Sequence, residues 1–124
     1  MIHILVPYDF SKMAVHALDF ATKLSATYSK LHISLIHVVE LPLNTNAGTI
    51  GGGIDPLSDY QNQVYFRELL EQRKKELDQV QNKYSSPNYH LDTEVTVGNV
   101  FREISTAITD KKPDLVVMGY SGTS

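Results

Sequence analysis

The sequence contains no cysteine, which excludes a disulfide framework, a thiolate metal site and cysteine nucleophile chemistry together. It also lacks an excess of basic charge: 11 lysines and arginines stand against 14 aspartates and glutamates, for a net charge of −3. A mildly acidic chain without a basic cluster is a poor binder of nucleic acid or an anionic membrane surface by long-range electrostatics. Long hydrophobic runs are missing as well. None approaches the roughly 18–20 residues that span a bilayer. The opening Met1-Ile2-His3-Ile4-Leu5-Val6-Pro7 has neither the basic flank nor the cleavage site of a signal peptide, so a cytoplasmic protein is expected. What is present is 124 residues, 42% of them hydrophobic. That length suits one domain, large enough to bury roughly two-thirds of its unfolded surface without staples.

Ile2 to Pro7 is a short apolar run rich in β-branched residues, the pattern of a strand buried on both faces. Asp9-Phe10-Ser11 supplies capping chemistry, and Ala14, Ala17, Leu18, Ala21 and Leu24 follow at helical spacing, which predicts a helix over 11–28. Leu31 to Val39 reads as a second buried strand. Residues 41–58, with Pro42, Gly48, Gly51-Gly52-Gly53 and Pro56, have loop composition and are expected to form a cover or slack connection. A charged helix is predicted from about Tyr60 to Tyr84, with the narrow stripe Phe66, Leu70, Leu77, Val80 and Tyr84 and an i,i+4 pair at Glu71 and Lys75. Leu91, Thr93, Val95 and Val97 alternate with Asp92, Glu94 and Thr96, as in an edge strand with one wet face. Val100, Ile104, Ala107 and Ile108 give a further helix, and Leu115 to Met118 a fourth strand. The order β-α-β-α-β-α-β implies an α/β domain, a doubly wound open parallel sheet with right-handed crossovers. A glycine turn after a central strand ordinarily opens another helix, so the chain is expected to lack a C-terminal piece.

In such a sheet ligands bind beyond the carboxyl ends of the strands. Asp9 follows the first strand, and is either an acceptor for a ligand amine or a cap for the helix over 11–28, with Ser11 the rival cap. Gly119-x-x-Gly122 permits close backbone approach and can point successive N–H groups at an anion, or is simply a tight turn. Gly51-Gly52-Gly53 is no P-loop, having no strand at the right distance before it and no Lys-Ser/Thr after it. None of the five histidines, His3, His16, His32, His37 and His90, has metal-ligand spacing with another, and His32 and His37 fall on opposite faces of their strand. The expectation is structural histidines and no metal site. No Gly-x-Ser-x-Gly elbow and no carboxylate dyad is present.

Val6-Pro7-Tyr8-Asp9-Phe10-Ser11, Leu35-Ile36-His37-Val38 and Asp114 to Gly122 together resemble the universal stress protein family, in its order and spacing. The resemblance implies a parallel α/β sheet of strand order 3-2-1-4-5, with the fifth strand missing from this chain, so that residues 1–124 form an incomplete domain with room for a further one beyond Ser124. It implies ATP or a related adenine nucleotide at the carboxyl edge, with Mg²⁺ or Mn²⁺ on the phosphates. Asp9 would meet the adenine end and the Val38 backbone would contact the base. Gly119 and Gly122 match the first half of the phosphate pattern G-x2-G-x9-G-[S/T], whose second half is absent. Pro7, Tyr8 and Met118 would adjoin the nucleoside. A homodimer or a tandem domain is the expected assembly, and with no general base or arginine finger any hydrolysis would be slow. The competing reading is a dimerisation or protein-interaction module that binds no nucleotide. A phosphorelay receiver fails, because it needs an acidic cluster after the first strand and a phospho-accepting aspartate after the third, where this chain has Asp9 alone and then Gly98.

Overall fold

Residues 1–40 and 56–119 are described in the computed structural model. Along them run β1 (Ile2–Pro7), α1 (Lys12–Lys23) with a 3-10 turn at Leu24–Ala26, β2 (Leu31–Val39), α2 (Pro56–Tyr84), β3 (His90–Val97), α3 (Val100–Lys111) and β4 (Leu115–Val116). The four strands make one parallel sheet in the order β3-β2-β1-β4. The chain steps outward through β2 and β3, then returns past β1 to β4. With right-handed crossovers, that reversal places α1 and α2 on one face and α3 on the other.

The burial pattern follows from this topology. Ile4, Val6, Leu31, Ile33 and Leu35 pack with Ala14, Ala17, Leu18 and Ala21 of α1 and Leu77 of α2. On the opposite face Leu5 and Ile36 pack with Ala107 of α3. Both faces of β1 and β2 are therefore covered, which is why their apolar runs are continuous. Each large aliphatic side chain fully buried here contributes about 1.5–3 kcal/mol. The alanines of α1 keep that helix close to the sheet. Ser11 is its cap, its Oγ accepting from the Ala14 N–H at 3.1 Å.

Several boundaries differ from the sequence expectation. Helix α1 tightens into the 3-10 turn instead of continuing to 28, and α2 opens earlier, at Pro56, a residue whose missing N–H is harmless in a first turn. Of the expected α2 stripe, Leu77 is buried, Val80 and Tyr84 pack on the core, and Phe66 and Leu70 are half-buried. The ion pair formed on α2 is Arg73 with Glu76 at 2.6 Å, rather than Glu71 with Lys75. β3 is an edge strand as expected, but α3 crosses part of its polar face, and the Thr96 hydroxyl is buried there without a partner among the described residues. β4 is shorter than expected, pairing through Ile4↔Leu115 and Leu5↔Val116, flanked by bonds from the Asp114 N–H to the His3 carbonyl and from the Val117 N–H to the Leu5 carbonyl. Among the described residues no helix is long and apolar enough to cross a membrane. The expected cover over 41–58 lies mostly outside the described residues.

Candidate site at the carboxyl edge of the sheet

The β1–β2 register runs from Ile2↔Leu31 to Pro7↔Ile36, and the Tyr8 N–H donates to the Ile36 carbonyl at 2.8 Å. There the pairing stops, while β2 continues to Val39. In a parallel ladder alternate residues address the same neighbour, so Val38 turns its N–H and C=O toward the side β1 has vacated. Continued pairing would send the Val38 N–H to the Tyr8 carbonyl. That carbonyl instead accepts from the His37 ring at Nδ1, 2.8 Å away. A carbonyl can only accept, so His37 carries its proton on Nδ1. The Val38 backbone groups have no backbone partner on this side among the described residues.

The turn from β1 into α1 is locked around that opening. Phe10 has φ 66°, a left-handed conformation uncommon for an aromatic residue. It is held edge-on between Tyr8, at 5.1 Å between ring centroids, and His37, at 4.9 Å. Of the two cap candidates in the sequence, Ser11 is the cap of α1. The Asp9 Oδ1 accepts from the Ser11 N–H at 2.9 Å while the residue stays exposed. Partial burial pushes the Asp9 carboxyl up, but hydrogen bonds from Ser11 and the backbone, with the nearby His37, outweigh it and hold the group below its ordinary value. Asp9 is therefore an acceptor at neutral pH. Tyr8 has its side chain in the core, and burial first, then the charges of Asp19 and Asp9, push its phenol up.

One cleft gathers these groups. It is lined by Pro7, Tyr8, Asp9, Val38, Met118 and Gly119 from the strand ends, and by Ala14, Ile36, Val100 and Ile104. Six of the residues singled out in the sequence thus meet at one place. Gly122, like Gly51-Gly52-Gly53, lies outside the described residues. Ala14, Val100 and Ile104 were missed because they come from the flanking helices, whose position over the cleft depends on the crossovers. The amino-terminal, electropositive ends of α1 and α3 open at this same edge. Gly119 makes the closest approach: a Cβ there would sit 2.3 Å from the Met13 carbonyl oxygen. An apolar floor with one fixed carboxylate, an open backbone donor–acceptor pair and two helix amino termini suits a flat aromatic ligand carrying polar edges.

The opposite edge of the sheet holds a second group that sequence spacing did not reveal. His32, His90 and Asp92 converge there, with donor atoms all within 4.8 Å of one another. The expectation that no histidine shares metal-ligand spacing holds along the chain and fails in space, because the parallel register sets His32 directly beside His90.

Comparison with known proteins completes the description. The model of the universal stress protein family matches residues 1–124. No curated protein gives a significant match. Among solved structures, universal stress protein UspA from Lactobacillus plantarum superposes with a TM-score of 0.76 at 22% identity, over 99% of this chain and 79% of that one. A universal stress protein family member from Burkholderia pseudomallei gives 0.54 at 21%, over 95% and 80%. One from Arabidopsis thaliana, with AMP bound, gives 0.54 at 16%, over 98% and 78%.

Proposed function

The chain belongs to the universal stress protein family, and on that footing we propose that it is a stress-related module binding ATP or a closely related adenine nucleotide at the carboxyl edge of its sheet. The observation that carries the reading is the Val38 backbone, without a backbone partner toward β1 among the described residues, in the cleft that also contains the Asp9 carboxylate and Gly119. Adenine presents an amino donor next to ring-nitrogen acceptors. An acceptor-only side chain and a backbone donor–acceptor pair complement that edge. Ile36, Val100, Ile104 and Met118 supply apolar surface for the ring. Gly119 would begin the phosphate cradle, continued by Gly122. A Mg²⁺ or Mn²⁺ ion would be held chiefly by phosphate oxygens and water, since Asp9 is the one carboxylate among the described cleft residues. The AMP carried by the Arabidopsis relative supports the adenine class. The proposed role is binding, with slow hydrolysis at most, since no arginine finger lines the described cleft.

Calorimetric titration with ATP, AMP and GTP tests the proposal. Adenine nucleotides should bind and GTP should not, and Asp9→Ala should weaken binding by about tenfold, the worth of one charged hydrogen bond. No heat with millimolar ATP, or equal binding of ATP and GTP, would refute it. A second reading, self-association without nucleotide, draws on β4, which pairs on one side only among the described residues and exposes Leu115, with exposed Met118 just beyond it. A concentration-dependent dimer in sedimentation that is indifferent to ATP would favour it.

A further inference from the structure

From the amino-terminal edge of the sheet, opposite the cleft, we infer a transition-metal site of the Zn²⁺ class formed by His32, His90 and Asp92. His90 and Asp92 are two residues apart on β3 and so share a face, and the register pairs His90 with His32 and Asp92 with Ser34. The His32 Nε2 lies 2.5 Å from the Asp92 Oδ2, and the His32 and His90 rings are 4.8 Å apart between centroids. Tetrahedral Zn²⁺ bonded at about 2.0–2.1 Å spaces its ligand atoms about 3.3 Å apart, so the cluster, spanning 4.8 Å at most, closes by about 1.5 Å. Exposed His90 can supply that movement by side-chain rotation. Binding breaks the His32–Asp92 hydrogen bond, and its proton leaves to solvent as the metal ion takes both ligand atoms.

The surroundings favour a cation over a bare hydrogen-bonded pair. His3 stacks on His32 at 4.4 Å with the ring planes 8° apart, and its Nε2 is anchored to the Ser34 Oγ at 2.8 Å, fixing the His32 ring from behind. The three imidazole rings stand side by side next to a single carboxylate, Asp92. The nearby Lys111 ammonium is engaged by Glu94 at 3.2 Å. Two imidazole nitrogens and one carboxylate oxygen are borderline donors, suited to Zn²⁺, Co²⁺ or Cu²⁺ and poorly to Mg²⁺. Three protein ligands leave a fourth position for water. Such an ion would clip the edge strand β3 to β2, and nothing in this inference depends on nucleotide binding.

The test is calorimetric titration of the tag-free, chelator-treated chain with ZnCl₂, with CoCl₂ absorption spectra as a readout of geometry. The expected result is one ion per chain, a tetrahedral Co²⁺ spectrum and a melting temperature that rises with Zn²⁺. His90→Gln and Asp92→Asn should each weaken binding at least about tenfold, since even outer-shell partners act on that scale. His16→Gln, on an exposed face of α1, should leave it unchanged. His90 is exposed, so that variant should keep the native circular dichroism even if the Asp92 variant loses it. No stoichiometric Zn²⁺ uptake, uptake that survives His90→Gln, or an equal response to MgCl₂ overturns the inference.

Discussion

Replacing Gly119 by alanine is the sharpest test of how the cleft is built. The added Cβ would lie 2.3 Å from the Met13 carbonyl oxygen, 2.4 Å from its carbon and 2.8 Å from the Met13 Cβ. Ordinary carbon–oxygen contact is near 3.3 Å, so backbone must retreat by about 1 Å, and no flexible side-chain tip can yield in its place. Met13 sits in the first turn of α1, pinned by the Ser11 cap and by Ala14, Ala17 and Leu18 buried beneath. The end of β4, which is tied to Leu5 by the single Val117 N–H bond, should move instead. Overpacking of this kind costs about 1–3 kcal/mol. With a denaturant dependence of about 2 kcal/mol per molar urea, the unfolding midpoint should drop by about 0.5–1.5 M. Circular dichroism in urea reads the stability, and titration of the folded variant with ATP reads the cleft, where affinity should fall together with the midpoint. A Gly119→Ala protein with unchanged midpoint and unchanged affinity would show that β4 does not end against α1, and the site geometry would go with it.

Three further perturbations probe the scaffold. Leu77→Ala removes the most deeply buried anchor of α2, 1% exposed, and should lower stability by about 2–5 kcal/mol in urea unfolding. Ser11→Ala deletes the α1 cap and should cost about 0.5–2 kcal/mol, read the same way. The Tyr84 hydroxyl donates to Asp19 at 2.9 Å, and burial first, then Asp19, pushes its phenol up to about 12 from an ordinary 10.0. A native value above the unfolded one means the folded chain keeps its proton longer. The stabilisation is therefore complete below pH 10 and lost as pH rises through 12. Ultraviolet difference titration should find one phenol ionising near pH 12, and Tyr84→Phe should abolish it and flatten the loss of stability between pH 10 and 12.

What the sequence discloses, and what it withholds, divides along a physical line. β1 and β2 are legible because a strand covered on both faces must be apolar throughout, and β3 because its alternation marks an edge. The Ser11 cap is legible because its hydroxyl satisfies a donor three residues along the same chain. These are local demands. The length of β4 is not local: β1 runs on to Pro7, yet the ladder between them covers only Ile4↔Leu115 and Leu5↔Val116. The left-handed Lys112 that ends α3, with φ 48°, and Phe10, with φ 66°, occupy conformations ordinarily left to glycine, so no glycine announces either turn. The histidine cluster is hidden for the same reason as β4. His32 and His90 meet because the β2–β3 register places Leu91 beside Ile33, and His3 stacks on His32 because the β1–β2 register places Ile2 beside Leu31. A slip of one residue between β2 and β3 would turn His90 and Asp92 to the face opposite His32.

The candidate cleft shows how local and non-local causes combine. Pro7 cannot donate, yet proline alone does not stop a strand, since the Tyr8 N–H still reaches the Ile36 carbonyl. Two other residues halt the pairing. Phe10 turns the chain toward α1, and the buried His37 occupies the Tyr8 carbonyl that the Val38 N–H would otherwise take. Where β2 overhangs β1, a side chain of β2 itself bonds the Tyr8 carbonyl, one residue ahead of the Val38 groups left open toward β1 among the described residues. A histidine that reads in the sequence as merely structural thus bonds the one carbonyl toward which the Val38 N–H would continue the ladder, at the edge of the candidate cleft.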